Sequence, residues 1–248
     1  MLLGSCHSSD LDALLRSLEA DPRSGVRALA ASRRRVLAAR ERETVRLERL
    51  MVHQDRLRDA GFCVVAGVDE VGRGALAGPL TVAAVVLRHE SRIDGLDDSK
   101  RLTPVRREAV ASLVRAEAVA FALVHVEAPE IDAVGIREAV RIGMERAVRA
   151  LDVDVDHVLV DGNDARMPFP ATAVIGGDRL CACIAAASVV AKVSRDALMR
   201  ALAPDYPEYG LEINKGYGTL EHLEALVARG PSPLHRRSFA PCAQPPLF

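Results

Sequence analysis

The sequence predicts an α/β protein built on a mixed five-stranded sheet flanked by helices, behind an N-terminal helical hairpin. Three observations carry this. From residue 62 onward, short valine-rich runs alternate with longer amphipathic ones, the pattern of strands and covering helices. The first two strand-like runs are separated only by residues 70–79, too few for a helical crossover, so those strands should pair antiparallel. Residues 1 to about 60 are instead rich in Arg, Glu, Leu and Ala, at rough helical period.

Leu11, Leu14, Leu15 and Leu18 have helical spacing, DPRSG at 21–25 is a turn signal, and residues 26–57 run on without a breaker. This is a hairpin with one basic, solvated face. A scaffold or oligomer helix is favoured there over a nucleic-acid arm. Gly61 marks the boundary. The strands are expected at 62–69, 80–87, 119–126, 157–161 and 171–175, the last closing on Gly176-Gly177-Asp178. Helices are expected at 104–117, 136–151, 180–202 and 220–229. Thr103 is the N-cap of the first, with Pro104 at its first position. The long 180–202 run of small residues suits close packing on a sheet. The later strands alternate with helices and should be parallel.

No apolar run approaches the roughly 20 residues of a membrane span. The first dozen residues carry charge and no apolar signal core, so a cytoplasmic location and no membrane partner are expected. The five cysteines include no CxxC pair and the seven histidines no HExxH, which argues against zinc. Net charge is −1, so a nucleic-acid partner would need positive charge gathered locally. Of 33 basic residues only Lys100, Lys192 and Lys215 are lysine. Each is either a chance survivor or a place where a compact ammonium is needed and a planar fork does not fit.

Three expected strands end in carboxylates: Asp69 with Glu70, Asp161, and Asp178. Any one alone reads as a turn or cap residue. Together, at the strand ends of an open sheet, they form a repelling set that implies a cation. Oxygen donors without His or Cys select Mg²⁺ or Mn²⁺. Adjacent strand residues face opposite ways, so Asp69 and Glu70 share a site only where the strand ends or bulges. GRGALA at 72–77 matches a dinucleotide fingerprint, but Pro79 and a β-branched run follow where a helix must open. A nucleotide-binding module is therefore set aside.

The pieces AGVDEVGRGALAGP, DDSKRL, VDGN, GGD, AAASVVAKVSRD, EINKGYGT and HRRSF run in series from Ala66 to Phe239. In this the chain resembles the bacterial ribonuclease HII family. Ala75 stands where the family usually has proline, and the N-terminal helices exceed those of its shortest members. The resemblance implies a ribonuclease-H-like core over 61–203 and a helical C-terminal extension over 204–248 that adds substrate contacts, with 1–60 as a helical appendage. A chain begun near Gly61 should then still fold and cut. The resemblance also implies a site of Asp69, Glu70, Asp161 and Asp178 holding two Mn²⁺ or Mg²⁺ ions, with Asp196 as a supporting residue on the long helix. The implied activity is endonucleolytic hydrolysis of the RNA strand of RNA–DNA hybrids. It extends to cutting 5′ of single ribonucleotides in duplex DNA, leaving 3′-hydroxyl and 5′-phosphate, for ribonucleotide and primer removal.

Selectivity needs a reader of the 2′-hydroxyl. Gly72 and Gly74 let backbone approach a sugar, and Arg73 can pair with a phosphate. Tyr217 resembles the family tyrosine that packs on the neighbouring sugar. Ser99, Lys100, Lys192 and Lys215 would contact phosphates. A monomer is expected, and contact with a replication clamp or another protein is left open. The alternatives are a ribonuclease HIII-like hybrid nuclease, which tends to carry an N-terminal sheet domain, and a non-catalytic hybrid-binding protein.

Overall fold

A computed structural model describes residues 6–243, with side chains from Asp10 onward. The chain divides into two compact units, residues 1–48 and 49–248. The first holds α1, Cys6–Glu19, and most of α2, Ser24–Asp59. Asp21 accepts from the backbone N–H of Arg23 at the turn between them (2.9 Å). Arg34 ties the hairpin by donating to Glu19 (2.7 Å) and Asp12 (2.9 Å). Leu15, Ala30 and Leu47 are its buried apolar residues.

The last three turns of α2, from Arg49, belong to the second unit. The boundary expected at Gly61 thus lies later in the chain than the division between units. Gln54 is fully buried and its Oε1 accepts the backbone N–H of Cys183 (3.0 Å). No sequence period marks such a contact, because it joins residues 129 apart.

The second unit is a mixed sheet of five strands in the order β3-β2-β1-β4-β5. These are β1, Val65–Val71; β2, Leu80–Leu87; β3, Ala118–Val126; β4, His157–Asp161; and β5, Ala171–Val174. β1 pairs antiparallel with β2, as does β2 with β3. β1–β4 and β4–β5 are parallel. Between β2 and β3 lies α3, Pro104–Glu117, where Thr103 Oγ1 accepts from the Arg106 N–H (3.4 Å). α4, Ala128–Val134, and α5, Ile136–Arg149, follow β3. They are separated by Gly135, whose positive φ of 79° breaks the helical path.

Helix α5 covers one sheet face, where Ala66, Val68, Val82, Ala84, Val158 and Val160 meet Ala139, Met144 and Ala147. The other face carries α7, Ala182–Leu202, whose Ala182–Ala191 stretch is buried throughout. The helix lies so close that a Cβ on Gly67 would stand 2.3 Å from the Cys183 carbonyl carbon. Alternation along β1 therefore sends Glu70 to the α5 face and Asp69 to the α7 face.

Four details depart from expectation. β1 starts at Val65 because Asp156 Oδ2 takes the N–H groups of Cys63 and Val64 (2.9 and 2.8 Å), which removes them from the ladder. Parallel β4 and β5 are joined by residues 162–170 without a helix. The helix expected from 180 starts at Ala182, since Cys181 is extended (φ −137°, ψ 125°). Asp178 sits in a separate turn, α6, Gly177–Leu180, rather than on a strand end. Beyond α7 come α8, Leu211–Asn214, α9, Leu220–Arg229, and α10, Ala240–Ala243. They share a second core of Leu76, Ala77, Met199, Tyr209, Leu211, Leu226 and Cys242. Residues 244–248 of the expected C-terminal extension lie outside the described residues, as do residues 1–5 of the appendage.

Candidate active site

The β1–β4 ladder ends at Val68↔Val160, so the next residues, Asp69 and Asp161, stand side by side where the strands part. Asp69 turns back to accept its neighbour's N–H, Glu70 N to Oδ1 at 2.7 Å. Asp161 Oδ1 accepts from Gly177 N (2.7 Å), which ties the loop carrying Asp178 to the end of β4. A Cβ on Gly177 would meet Ile184 Cδ1 at 2.5 Å, so glycine lets that loop close over α7. Glu70 does point to the opposite face from Asp69. Asp161 bridges the difference, repelling both and Asp178 as well.

Burial pushes the Asp69 carboxyl well above the usual carboxylate range, with repulsion from Glu70 and Asp161 added. Burial also raises Glu70, against the pull of Arg73, and raises Asp178, helped by Asp98 and Asp161. Asp98 was not singled out from the sequence. It is 5% exposed, adjoins Ser99, and faces Asp178. Its signal in the sequence is the doubled acid of DDSK, next to Ser99 and Lys100.

The cations nearby are peripheral. Lys100 Nζ is 3.6 Å from Asp178 Oδ2 but 79% exposed, and Arg73 is 3.6 Å from Glu70. Burial opposes the Lys100 charge, but Asp178, Asp98, Asp69 and Asp161 outweigh it and raise its pKa. Among the described residues no three His, Cys, Asp or Glu side chains are placed to hold a metal ion by themselves. The four donors are nonetheless all carboxylates, Asp69 and Asp178 buried and Glu70 and Asp161 half-buried, with Asp161 repelling the other three, and such a set fits a hard divalent cation. Oxygens of water and of a substrate phosphate would complete its coordination.

The other residues singled out from the sequence fall into two groups. Gly72, Arg73 and Gly74 leave β1 beside Glu70, with Arg73 and Gly74 exposed. Gly72 has an internal reason to be glycine: its φ is 86°, and a Cβ would lie 2.2 Å from Arg195 Nε. Gly74 has none, for nothing stands within 4 Å of a Cβ there and its φ is not positive. Tyr217 is half-buried, with the Lys192 ammonium 5.8 Å and the Arg195 guanidinium 5.5 Å from its ring centre. Lys192 donates to Asp196 (2.8 Å), which also lies 3.9 Å from Arg107, so the Asp196 carboxylate is engaged by two cations of its own. Lys215 has positive φ (54°) and its ammonium folds onto the Glu212 carbonyl. Ser99, expected at a phosphate, is buried instead. Its hydroxyl meets Ser188 (3.0 Å), which in turn hydrogen-bonds Asp69.

Residues 66–242 match the family model Ribonuclease HII, and residues 1–58 match Ribonuclease HII N-terminal domain. A Ribonuclease HII of Geobacillus kaustophilus is 46% identical over 242 residues, 94% of this chain and 93% of that one. The ribonuclease H2 crystal structure from Pyrococcus horikoshii OT3 is 27% identical, with a TM-score of 0.64 over 73% of this chain and 95% of that one. Bst-RNase HIII in complex with Mn²⁺ shares the fold, at 20% identity and a TM-score of 0.60 over 73% of this chain and 68% of that one. The five-stranded mixed sheet is thus the ribonuclease-H-like one the motifs implied, and the chain belongs to the ribonuclease HII family, the type 2 ribonuclease H endonucleases.

Proposed function

We propose that this protein hydrolyses the RNA strand of RNA–DNA hybrids and cuts on the 5′ side of single ribonucleotides embedded in duplex DNA, leaving 3′-hydroxyl and 5′-phosphate. The observation that carries this is the gathering of Asp69, Glu70, Asp161 and Asp178 at one end of the sheet, buried or half-buried, with only exposed cations within salt-bridge distance among the described residues. These four would hold two Mg²⁺ or Mn²⁺ ions. Such ions, when bound, supply charge to the scissile phosphate and lower the pKa of an attacking water. Ser188, itself held by Ser99, orients the Asp69 carboxylate. Asp98 repels Asp178, and the largely exposed Lys100 can swing toward a phosphate.

The glycine loop and Tyr217 would supply the sugar selectivity. Gly74 has an open outer side and no packing reason to lack a side chain, which suits backbone approaching a ribose. The match of residues 1–58 to the ribonuclease HII N-terminal domain favours this reading over a ribonuclease HIII-like one. The intact set of acids favours it over a non-catalytic hybrid binder. Ribonucleotide excision and primer removal in the cytoplasm follow as the cellular roles.

The test is cleavage of a labelled duplex with one embedded ribonucleotide, with Mg²⁺, Mn²⁺ or chelator, by wild type and Asp69→Asn. Asn keeps the shape and removes a charge that is buried among other acids, so folding should survive. A loss of several kcal/mol of transition-state stabilisation lowers the rate by about 10²–10⁴-fold, with duplex binding retained. Normal cleavage by Asp69→Asn, or cleavage in chelator, would show that the site is misassigned.

A further inference from the structure

Two arginines in the second unit are completely buried, Arg195 on α7 and Arg236 in the segment after α9. Among the described residues neither has a carboxylate within salt-bridge distance. Such burial is costly, and an apolar side chain would fill the space more cheaply. Their partners show what the charge is used for. Arg195 donates from Nε to the Pro79 carbonyl (2.9 Å), from one terminal nitrogen to Ala77 (3.1 Å) and from the other to Lys215 (2.8 Å). Arg236 donates from Nε and one terminal nitrogen to the Gly78 carbonyl (3.1 and 2.9 Å) and from the other to Arg73 (3.0 Å).

All of these acceptors are backbone carbonyls on two irregular loops. One loop, 72–79, carries Gly72, Arg73 and Gly74. The other, 214–218, carries Tyr217. Among the described residues loop 72–79 makes only an isolated bridge, Ala77 to His235, which leaves the carbonyls of Arg73, Ala77, Gly78, Pro79 and Lys215 to the arginine forks. The loops also touch directly: the N–H groups of Leu76 and Ala77 share the Gly216 carbonyl (2.7 and 3.2 Å). A Cβ on Gly216 would stand 2.2 Å from the Ala77 oxygen. The Arg195 guanidinium carrying these bonds lies 5.5 Å from the Tyr217 ring centre, the geometry of a cation–π contact.

We propose that Arg195 and Arg236 are positioning residues that set the separation between the glycine loop and the Tyr217 ring, and through it the preference for a lone ribonucleotide. This rests on the assignment of those two elements as the sugar reader. The physical reason is that a planar fork fixes both direction and distance, which a single ammonium cannot do. Small misplacements of a positioned group are costly to rate. The burial that pulls the pKa of Arg236 down to about 10 still leaves it charged at neutral pH.

The test compares kcat/KM on a duplex with one embedded ribonucleotide and on a continuous RNA–DNA hybrid, and takes their ratio. The variants are Arg195→Lys, Arg236→Lys, Tyr217→Ala and the double Arg195→Lys/Tyr217→Ala, each checked for folding by its melting curve. A continuous hybrid offers alternative registers, so a misplaced reader costs less there. Arg195→Lys and Arg236→Lys should each lower the ratio by about 10-fold. In the Tyr217→Ala background, Arg195→Lys should change the ratio no further. Equal losses on both substrates, or a full additional loss in the double variant, overturn the proposal and leave the arginines as packing residues. If Tyr217→Ala alone leaves the ratio unchanged, the assignment of the reader fails, and the arginine proposal fails with it. Should Arg195→Lys not fold, Arg236→Lys decides, because it holds the glycine loop without touching the 214–218 backbone.

Discussion

Shortened chains begun at Arg49 and at Gly61 should behave differently, because the contacts of the end of α2 reverse the expectation, drawn from the motifs alone, that a chain begun near Gly61 folds and cuts. The segment between them carries Leu50, Met51 and Gln54, which are 4%, 1% and 0% exposed. Burying two apolar side chains contributes roughly 1.5–3 kcal/mol each. The Cys183 amide left without Gln54 Oε1 costs about 1–3 kcal/mol more. The difference is about 4–9 kcal/mol, against the 5–15 kcal/mol that typically holds a domain together. The loss falls on the start of α7, whose own N-cap residue, Cys181, makes no side-chain capping bond. That helix carries Ser188, Lys192, Arg195 and Asp196, so its fraying reaches the site. The assay is equilibrium urea unfolding followed by far-ultraviolet circular dichroism, with cleavage measured in parallel. The Arg49 chain should unfold cooperatively and cut, and the Gly61 chain should be largely unfolded or markedly less stable. Gln54→Ala in the full chain isolates the amide. Its loss should be about 1–2 kcal/mol, because Gln54 Nε2 has no partner of its own and its removal relieves a small cost. Unfolding midpoints of the two shortened chains equivalent to within about 0.5 kcal/mol would refute the reasoning and make the end of α2 an appendage.

Gly72→Ala and Gly74→Ala should separate stability from function. The first forces a Cβ into Arg195 at positive φ and should lower stability by about 1–3 kcal/mol, read in the melting curve. The second should leave melting unchanged while reducing cleavage at an embedded ribonucleotide. Gly67→Ala drives a Cβ into the α7 backbone at 2.3–2.4 Å and should cost about 3 kcal/mol or more, or abolish soluble expression. His235 gives a pH dependence. Burial, with the neighbouring His222, holds it down to about 4, and its Nδ1 lies 3.0 Å from the Ser232 N–H, which it accepts. The unfolded chain takes up the proton first, so this contribution is complete above about pH 6.5 and lost as the pH falls from there toward 4. It amounts to about 2–3 kcal/mol, read as the difference between wild type and His235→Gln in stability at pH 7 and pH 4.5.

What the sequence made legible is what local chemistry decides. Thr103 and Pro104 started α3 where the capping rule puts a helix, because the cap bond spans only three residues. The valine run of β2 has every residue buried, as a strand covered on both faces must. The carboxylates were visible because charge beside long apolar runs is conspicuous. Asp178, expected to close a strand, lies instead in a turn of its own, because Gly176 in the left-handed region ends the path of β5 and extended Cys181 separates that turn from α7. Ser99, expected to face a phosphate, has its hydroxyl aimed at Ser188, 89 residues away, by the turn after Asp98. Arg195 and Arg236 were invisible for a different reason. In a chain with 30 arginines, a buried fork has the same letter as a solvated one, and only the carbonyls it meets distinguish them. The acids proposed to hold the metal ions sit on regular strands or one short turn. The groups that would choose the sugar sit on irregular loops, whose shape comes from distant side chains. Specificity in this fold should therefore respond to substitutions far from the substrate, at Arg195 and Arg236, more readily than the carboxylate site responds to changes in its own surroundings.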